Sequence, residues 1–80
     1  MAAKKVIWDT VALNASYINN FDMVKHAGLK APERIFWANV ALNAAKNGNF
    51  DMVKYADLNN SRNAIDWRAV VSWASSQDIV

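Results

Sequence analysis

Apolar residues recur along this chain at helical spacing, and the pattern they form recurs as well. Trp37, Val40, Ala41, Ala44 and Gly48 fall at i, i+3, i+4, i+7 and i+11, a stripe that would line one face of an α-helix. A shorter stripe follows at Phe50, Val53 and Ala56. Both occur 29 residues earlier: Trp8–Leu29 aligns with Trp37–Leu58, with 14 of 22 positions identical. A third, partial copy at a spacing of 30 sets Ile65, Trp67, Val70 and Ala74 against Ile35, Trp37, Val40 and Ala44. Repetition on this scale predicts stacked supersecondary units, none of which buries its apolar face alone.

Punctuation between the stripes predicts where the helices start and stop. Pro32 suits the first turn of the Trp37 helix, where a missing N–H costs nothing, and Glu33 beside it complements the helix dipole. Gly48 can take the left-handed conformation that closes a helix, and its counterpart Asn19 is the next most tolerant residue. Asn20 and Asn49 then stand at N-cap positions, with Asp22 and Asp51 near the positive end of the following helix. Gly28 is expected to end that second helix after about two turns. Asn63, with Asp66 three residues on, predicts the start of a last helix. The expectation is an all-α, short helical-repeat solenoid of five helices in long-short-long-short-long order. It forms one domain over residues 1–80: repeat 1 about 6–30, repeat 2 about 31–59, and a partial capping repeat about 60–80.

Composition narrows the class. Eighty residues make a small domain near the lower limit for a self-sufficient core, and a hydrophobic fraction of 54% with four Trp and three Phe offsets that handicap. No cysteine is present, so neither a disulfide nor a thiolate zinc site supplies stability. Asp9 interrupts the N-terminal apolar run before a signal-peptide core is complete, and no segment approaches the roughly 18 apolar residues of a membrane span. A soluble, cytoplasmic protein without membrane contact is expected. The net charge of +2 is carried by dispersed groups, Lys4–Lys5 being the only basic pair, so electrostatics alone does not select nucleic acid.

The run Ala44-Ala45-Lys46-Asn47-Gly48-Asn49-Phe50-Asp51-Met52-Val53-Lys54-Tyr55 resembles the middle of an ankyrin repeat, with its paired alanines, inter-helix glycine and Val-containing second helix. It is most similar to the divergent ankyrin-like repeats found in viral and microbial proteins. The first copy keeps Ala12, Ala15, Phe21, Asp22, Met23, Val24 and Lys25 but has Ser16 and Asn19 where the pattern has Ala and Gly. The period of 29–30 is shorter than the ankyrin period of about 33. Asn39-Val40-Ala41-Leu42 stands where the family opens with Thr-Pro-Leu-His, and Gly28–Pro32 is too short for a projecting β-hairpin. The resemblance implies stacked helix pairs, without hairpins, that bind another protein.

Candidate chemistry is sparse. His26 is the only histidine, without cysteine or a carboxylate pair nearby, so no metal site is expected. Ser72, Ser75 and Ser76 lack an evident base, and the two glycines serve separate helix ends rather than a phosphate loop. No catalytic residue or cofactor is expected, and the chain is read as non-enzymatic. Trp8, Trp37 and Trp67 occupy equivalent positions and are expected to fill the seams between repeats, the alternative being an exposed aromatic groove. Asn14 and Asn43, poor helix formers at equivalent mid-helix positions, are expected to hydrogen-bond between repeats, the alternative being an exposed polar stripe that contacts a ligand.

Function is sought where the copies differ or where charges project in parallel. Trp73 stands opposite Asn43 and Asn14, Tyr17 opposite Lys46, and His26 opposite Tyr55. Lys25 and Lys54 recur at repeat spacing. These seven residues are the candidate partner contacts of a protein–protein interaction module. The alternatives are nucleic-acid binding through Lys25, Lys30, Arg34, Lys46, Lys54, Arg62 and Arg68, and self-association as a homodimer through an exposed apolar end.

Overall fold

The computed structural model describes residues 6–60 and 65–78, the last five of these by backbone only. Among the described residues five α-helices follow one another: α1 (Trp8–Tyr17), α2 (Phe21–Lys30), α3 (Trp37–Lys46), α4 (Phe50–Asn59) and α5 (Trp67–Asp78). A 3-10 turn, Pro32–Arg34, lies between α2 and α3, and there is no strand among the described residues. The chain is all-α, as the periodicity predicts.

The expected alternation of long and short helices is not found, since α1 to α4 each have ten residues. Gly28 does not end α2 but lies within it, and the helix stops at Lys30. The cause is Pro32. A residue preceding proline is pushed out of the α region, and Ala31 accordingly sits at φ −151°, ψ 64°. Pro32 therefore terminates the second helix and opens its own tight turn, closed by the Arg34 N–H on the Ala31 carbonyl at 3.1 Å, instead of starting α3. Trp37 becomes the first residue of α3.

The inter-helix turns follow the sequence reading closely. Asn19 (φ 63°) and Gly48 (φ 68°) both take the left-handed conformation. In each turn two backbone N–H groups return to the preceding helix: Asn19 to Ser16 and Asn20 to Ala15, then Gly48 to Ala45 and Asn49 to Ala44. Asn20 and Asn49 serve twice, because their side chains also cap the next helix by accepting from Met23 N (3.2 Å) and Met52 N (3.0 Å). For α5, Asp66 accepts from Ala69 N at 3.2 Å and is the capping residue; the expected start at Asn63 lies outside the described residues.

Helix α1 pairs with α2 and α3 with α4, while α3 also packs on α1 and α5. Helices α1, α3 and α5 thus form one row, with α2 and α4 behind it. The central helix, α3, has neighbours on three sides and buries Trp37, Val40, Ala41, Ala44 and Ala45. The core around it is dominated by small residues, with Ala12, Ala15, Ala27 and Ala56 joined by Val24, Val53 and Met52, which lets the helices approach closely. Gly48, counted in the stripe by its spacing, is exposed at the turn.

Candidate interaction surface

The seam between the first two repeats accounts for most positions at which the copies differ. Ser16, an alanine in the second copy, is fully buried and donates its hydroxyl to the Leu13 carbonyl at 2.7 Å. Asn43 Nδ2 donates to Ser16 Oγ (3.0 Å) and Leu13 O (3.4 Å), the inter-repeat bond expected of a mid-helix asparagine. Asn47, aligned with Ile18, donates to the carbonyls of Ser16 (2.8 Å), Tyr17 (3.2 Å) and Asn43 (3.0 Å). The carbonyls at the end of α1 that have no partner within the helix are thereby satisfied by the next repeat. Asn49 Nδ2 bonds Asn19 Oδ1 at 2.9 Å, and Asp9, an alanine in the second copy, accepts from Phe36 N at 2.8 Å. Asn14, the equivalent of Asn43 in the first copy, is exposed.

The three equivalent tryptophans differ in environment. Trp37 is buried between Tyr55 of its own hairpin (ring centroids 5.7 Å, 76° between planes) and Gly28 of the preceding one, and its Nε1 donates to Pro32 O at 2.8 Å. A Cβ on Gly28 would stand 3.0 Å from the Trp37 ring and 2.7 Å from the Tyr55 hydroxyl, so the glycine is what admits them. Trp8 has only a hairpin partner, His26, edge-on at 5.5 Å, and is half-buried. Trp67 is 46% exposed, which corrects the expectation that all three fill seams. Asp57 stands where the first seam has Gly28.

The remaining candidates spread over both rows. Trp73 is partly exposed on α5, and Lys46 Nζ lies 5.3 Å from its ring centroid, so these two are brought together. Tyr17 is exposed at the tip of the first hairpin beside Ile18. His26 is exposed at the rim of Trp8. Tyr55 is half-buried, its edge against Phe21 (5.6 Å) and its hydroxyl 3.4 Å from the Lys25 carbonyl, a bridge between α2 and α4. Lys25 and Lys54 are exposed at matching positions of α2 and α4, with Lys25 Nζ 4.4 Å from the Phe21 ring. They lie on the second row, whereas Trp73 belongs to the first.

Two residues not singled out by sequence join them. Leu29 and Leu58, identical in the repeats, are 80% and 85% exposed. Each follows its lysine by four residues and so shares its face of the helix. That register was visible beforehand, because it sets both leucines opposite the buried Val24–Ala27 and Val53–Ala56 side. Asp22 and Asp51 lie on the same faces, which makes the second-row surface mixed in charge.

An open cleft of about 980 Å³ lies between the start of α1 and the α2–α3 connection, with Ile7, Trp8, Asp9, Lys30 and Arg34 on its walls. Among the described residues no group of three or more His, Asp or Glu side chains is placed to hold a metal ion, and no helix is long and apolar enough to cross a membrane. Arg62, one of the basic residues considered for nucleic acid, lies outside the described residues. Comparison of the chain with protein-family models, with curated proteins and with solved structures finds no match.

Proposed function

We propose that this chain is a non-enzymatic interaction module of ankyrin-like helical repeats, and that its second row, α2 and α4, binds another protein. One observation carries this reading: Lys25–Leu29 and Lys54–Leu58 are repeated identically although neither couple is needed for packing. Most repeated residues have a structural reason, as Val24, Ala27 and Asn20 do through core packing and capping. A leucine left almost wholly in water has none, and two of them at parallel positions form a surface on which a partner buries apolar area beside a charge.

The test is crosslinking and affinity capture from native lysate with the wild-type chain and with the double variant Leu29→Glu/Leu58→Glu. Both leucines are exposed, so the variant should keep its helical circular dichroism and melting temperature. A specific protein recovered by the wild type and lost with the variant is the expected result. Recovery of the same proteins by both chains would refute this surface. A nucleic-acid reading draws on the parallel Lys25 and Lys54, and a binding titration at low ionic strength tests it, because phosphate contacts weaken steeply with salt.

A further inference from the structure

Three chemistries run in parallel lines over the outer face of the second row. Asp22, Lys25 and Leu29 of α2 fall at i, i+3 and i+7, and Asp51, Lys54 and Leu58 of α4 repeat them. All six are exposed. The two helices lie side by side in register, since contacts across the seam join residues one repeat apart, Asn19 with Asn49 and Lys25 with Tyr55. A carboxylate line, a lysine line and a leucine line therefore cross both helices. Along the helix axis the leucines stand about 6 Å from the lysines and about 10 Å from the carboxylates. Among the described residues no carboxylate pairs with Lys25 or Lys54, although Asp22 and Asp51 are only one turn away. Lys25 Nζ lies instead 4.4 Å from the Phe21 ring. Lys30 and Asp57, the exposed chain neighbours of the two leucines, offset each other in charge.

We infer, resting on the function proposed for the second row, that its occupant is an acidic amphipathic helix lying across α2 and α4. Its apolar residues cover the leucine line and its carboxylates, on one flank, meet the lysine line. The spacing suits such a segment. Packed helices stand about 10 Å apart, and apolar residues seven apart on a helix are separated by about the same distance. The charge suits it as well, because two ammonium groups without an ion pair lie beside two leucines in water. A second copy of the chain fits poorly. With facing helices parallel, a twofold axis sets each line on its own kind, lysine on lysine. With them antiparallel, no axis sets leucine on leucine and lysine on carboxylate together. A nucleic-acid backbone would meet the lysines but leave the leucines in water and face the carboxylates.

Selection of a displayed library of helical peptides of random charge against the full chain tests this, with fluorescence-anisotropy titration of the peptides recovered. The expected sequences carry two apolar residues seven apart and Glu or Asp along one flank. Leu29→Ala/Leu58→Ala and Lys25→Glu/Lys54→Glu change only exposed positions and should keep the helical content. Each should weaken binding of such a peptide at least about tenfold. The same peptide with its acids changed to lysine should bind Lys25→Glu/Lys54→Glu more tightly than it binds the wild type. Recovery of basic or neutral peptides, or an affinity that survives Lys25→Glu/Lys54→Glu, would overturn the acidic helix; the second row would still stand as the surface if Leu29→Ala/Leu58→Ala weakened binding. Indifference to both variants would overturn the surface too. Recovery of no peptide would overturn the helical occupant. A dimer mass in sedimentation equilibrium that Leu29→Ala/Leu58→Ala returns to 8.9 kDa would give the face to a second copy and overturn it likewise.

Discussion

The two seams of this molecule share a tryptophan at the start of the later helix, Trp37 or Trp67, and end in different states. At the first, Trp37 lies between Gly28 and Tyr55, and Ser16, Asn43 and Asn47 tie α1 to α3 through their side chains. At the second, Trp67 and Trp73 replace Trp37 and Asn43, Asp57 replaces Gly28, and both tryptophans keep substantial exposure. The second row shows the same end effect. Phe21 packs on Tyr55 while the identical Phe50 is 62% exposed; Met52 is fully buried while the identical Met23 is 41% exposed. One flank of a second-row helix faces the repeat before it and the other faces the repeat after. Burial is therefore decided by place in the stack, and a residue shared by two repeats has no single role.

That contrast can be broken at several points. The largest effect belongs to Trp37→Ala, which should cost about 4 kcal/mol, as truncation of a buried aromatic does. Trp67→Ala, measured by urea denaturation at a concentration where the chain is monomeric, should cost about 1 kcal/mol or less. Equal losses would show that the seams do not differ as described. Next, Gly28→Asp puts into the first seam the residue found at the second. It should cost about 3 kcal/mol, because the new side chain must displace the Trp37 ring and the Tyr55 hydroxyl and is itself desolvated. Retention of wild-type stability in that denaturation series would mean that the glycine is not what admits Trp37.

Smaller effects probe the polar ties. Asn47→Ala removes one amide that serves three carbonyls, two of them at the end of α1, and should cost about 1.5 kcal/mol. Amide hydrogen exchange should then be faster in the last turn of α1 than in α4; uniform acceleration would argue against a local tie. The smallest effect is at the turns. Gly48→Ala should cost about 1 kcal/mol by placing a Cβ in the left-handed region, visible as a lower melting temperature. Asn19→Gly should change stability by less than about 0.5 kcal/mol, because relief of the same strain is offset by losing the acceptor of Asn49.

Much of the local structure was legible in advance. The period gives the helix faces, and Asn19, Gly48, Asn20 and Asn49 mark the turns and caps, since these roles depend only on neighbours in the chain. Two local readings were displaced by one residue, Pro32. It can open a helix or end the preceding one, and here the restriction on Ala31 decides for the latter. The differences between the copies were visible, but their meaning was not. Tyr55, Ser16 and Asn47 look like departures from a repeat when read along the chain and turn out to be contacts between repeats. Leu29 and Leu58 look like apolar positions and are almost entirely in water.

Sequence by itself determined the all-α class and the chemistry of the two inter-helix turns, because helix period, left-handed turn residues and asparagine caps act over a few neighbouring positions. Only the tertiary structure decided which of two identical residues is buried and why Gly28 must be a glycine. Those depend on what lies across a seam some 30 residues away in the chain.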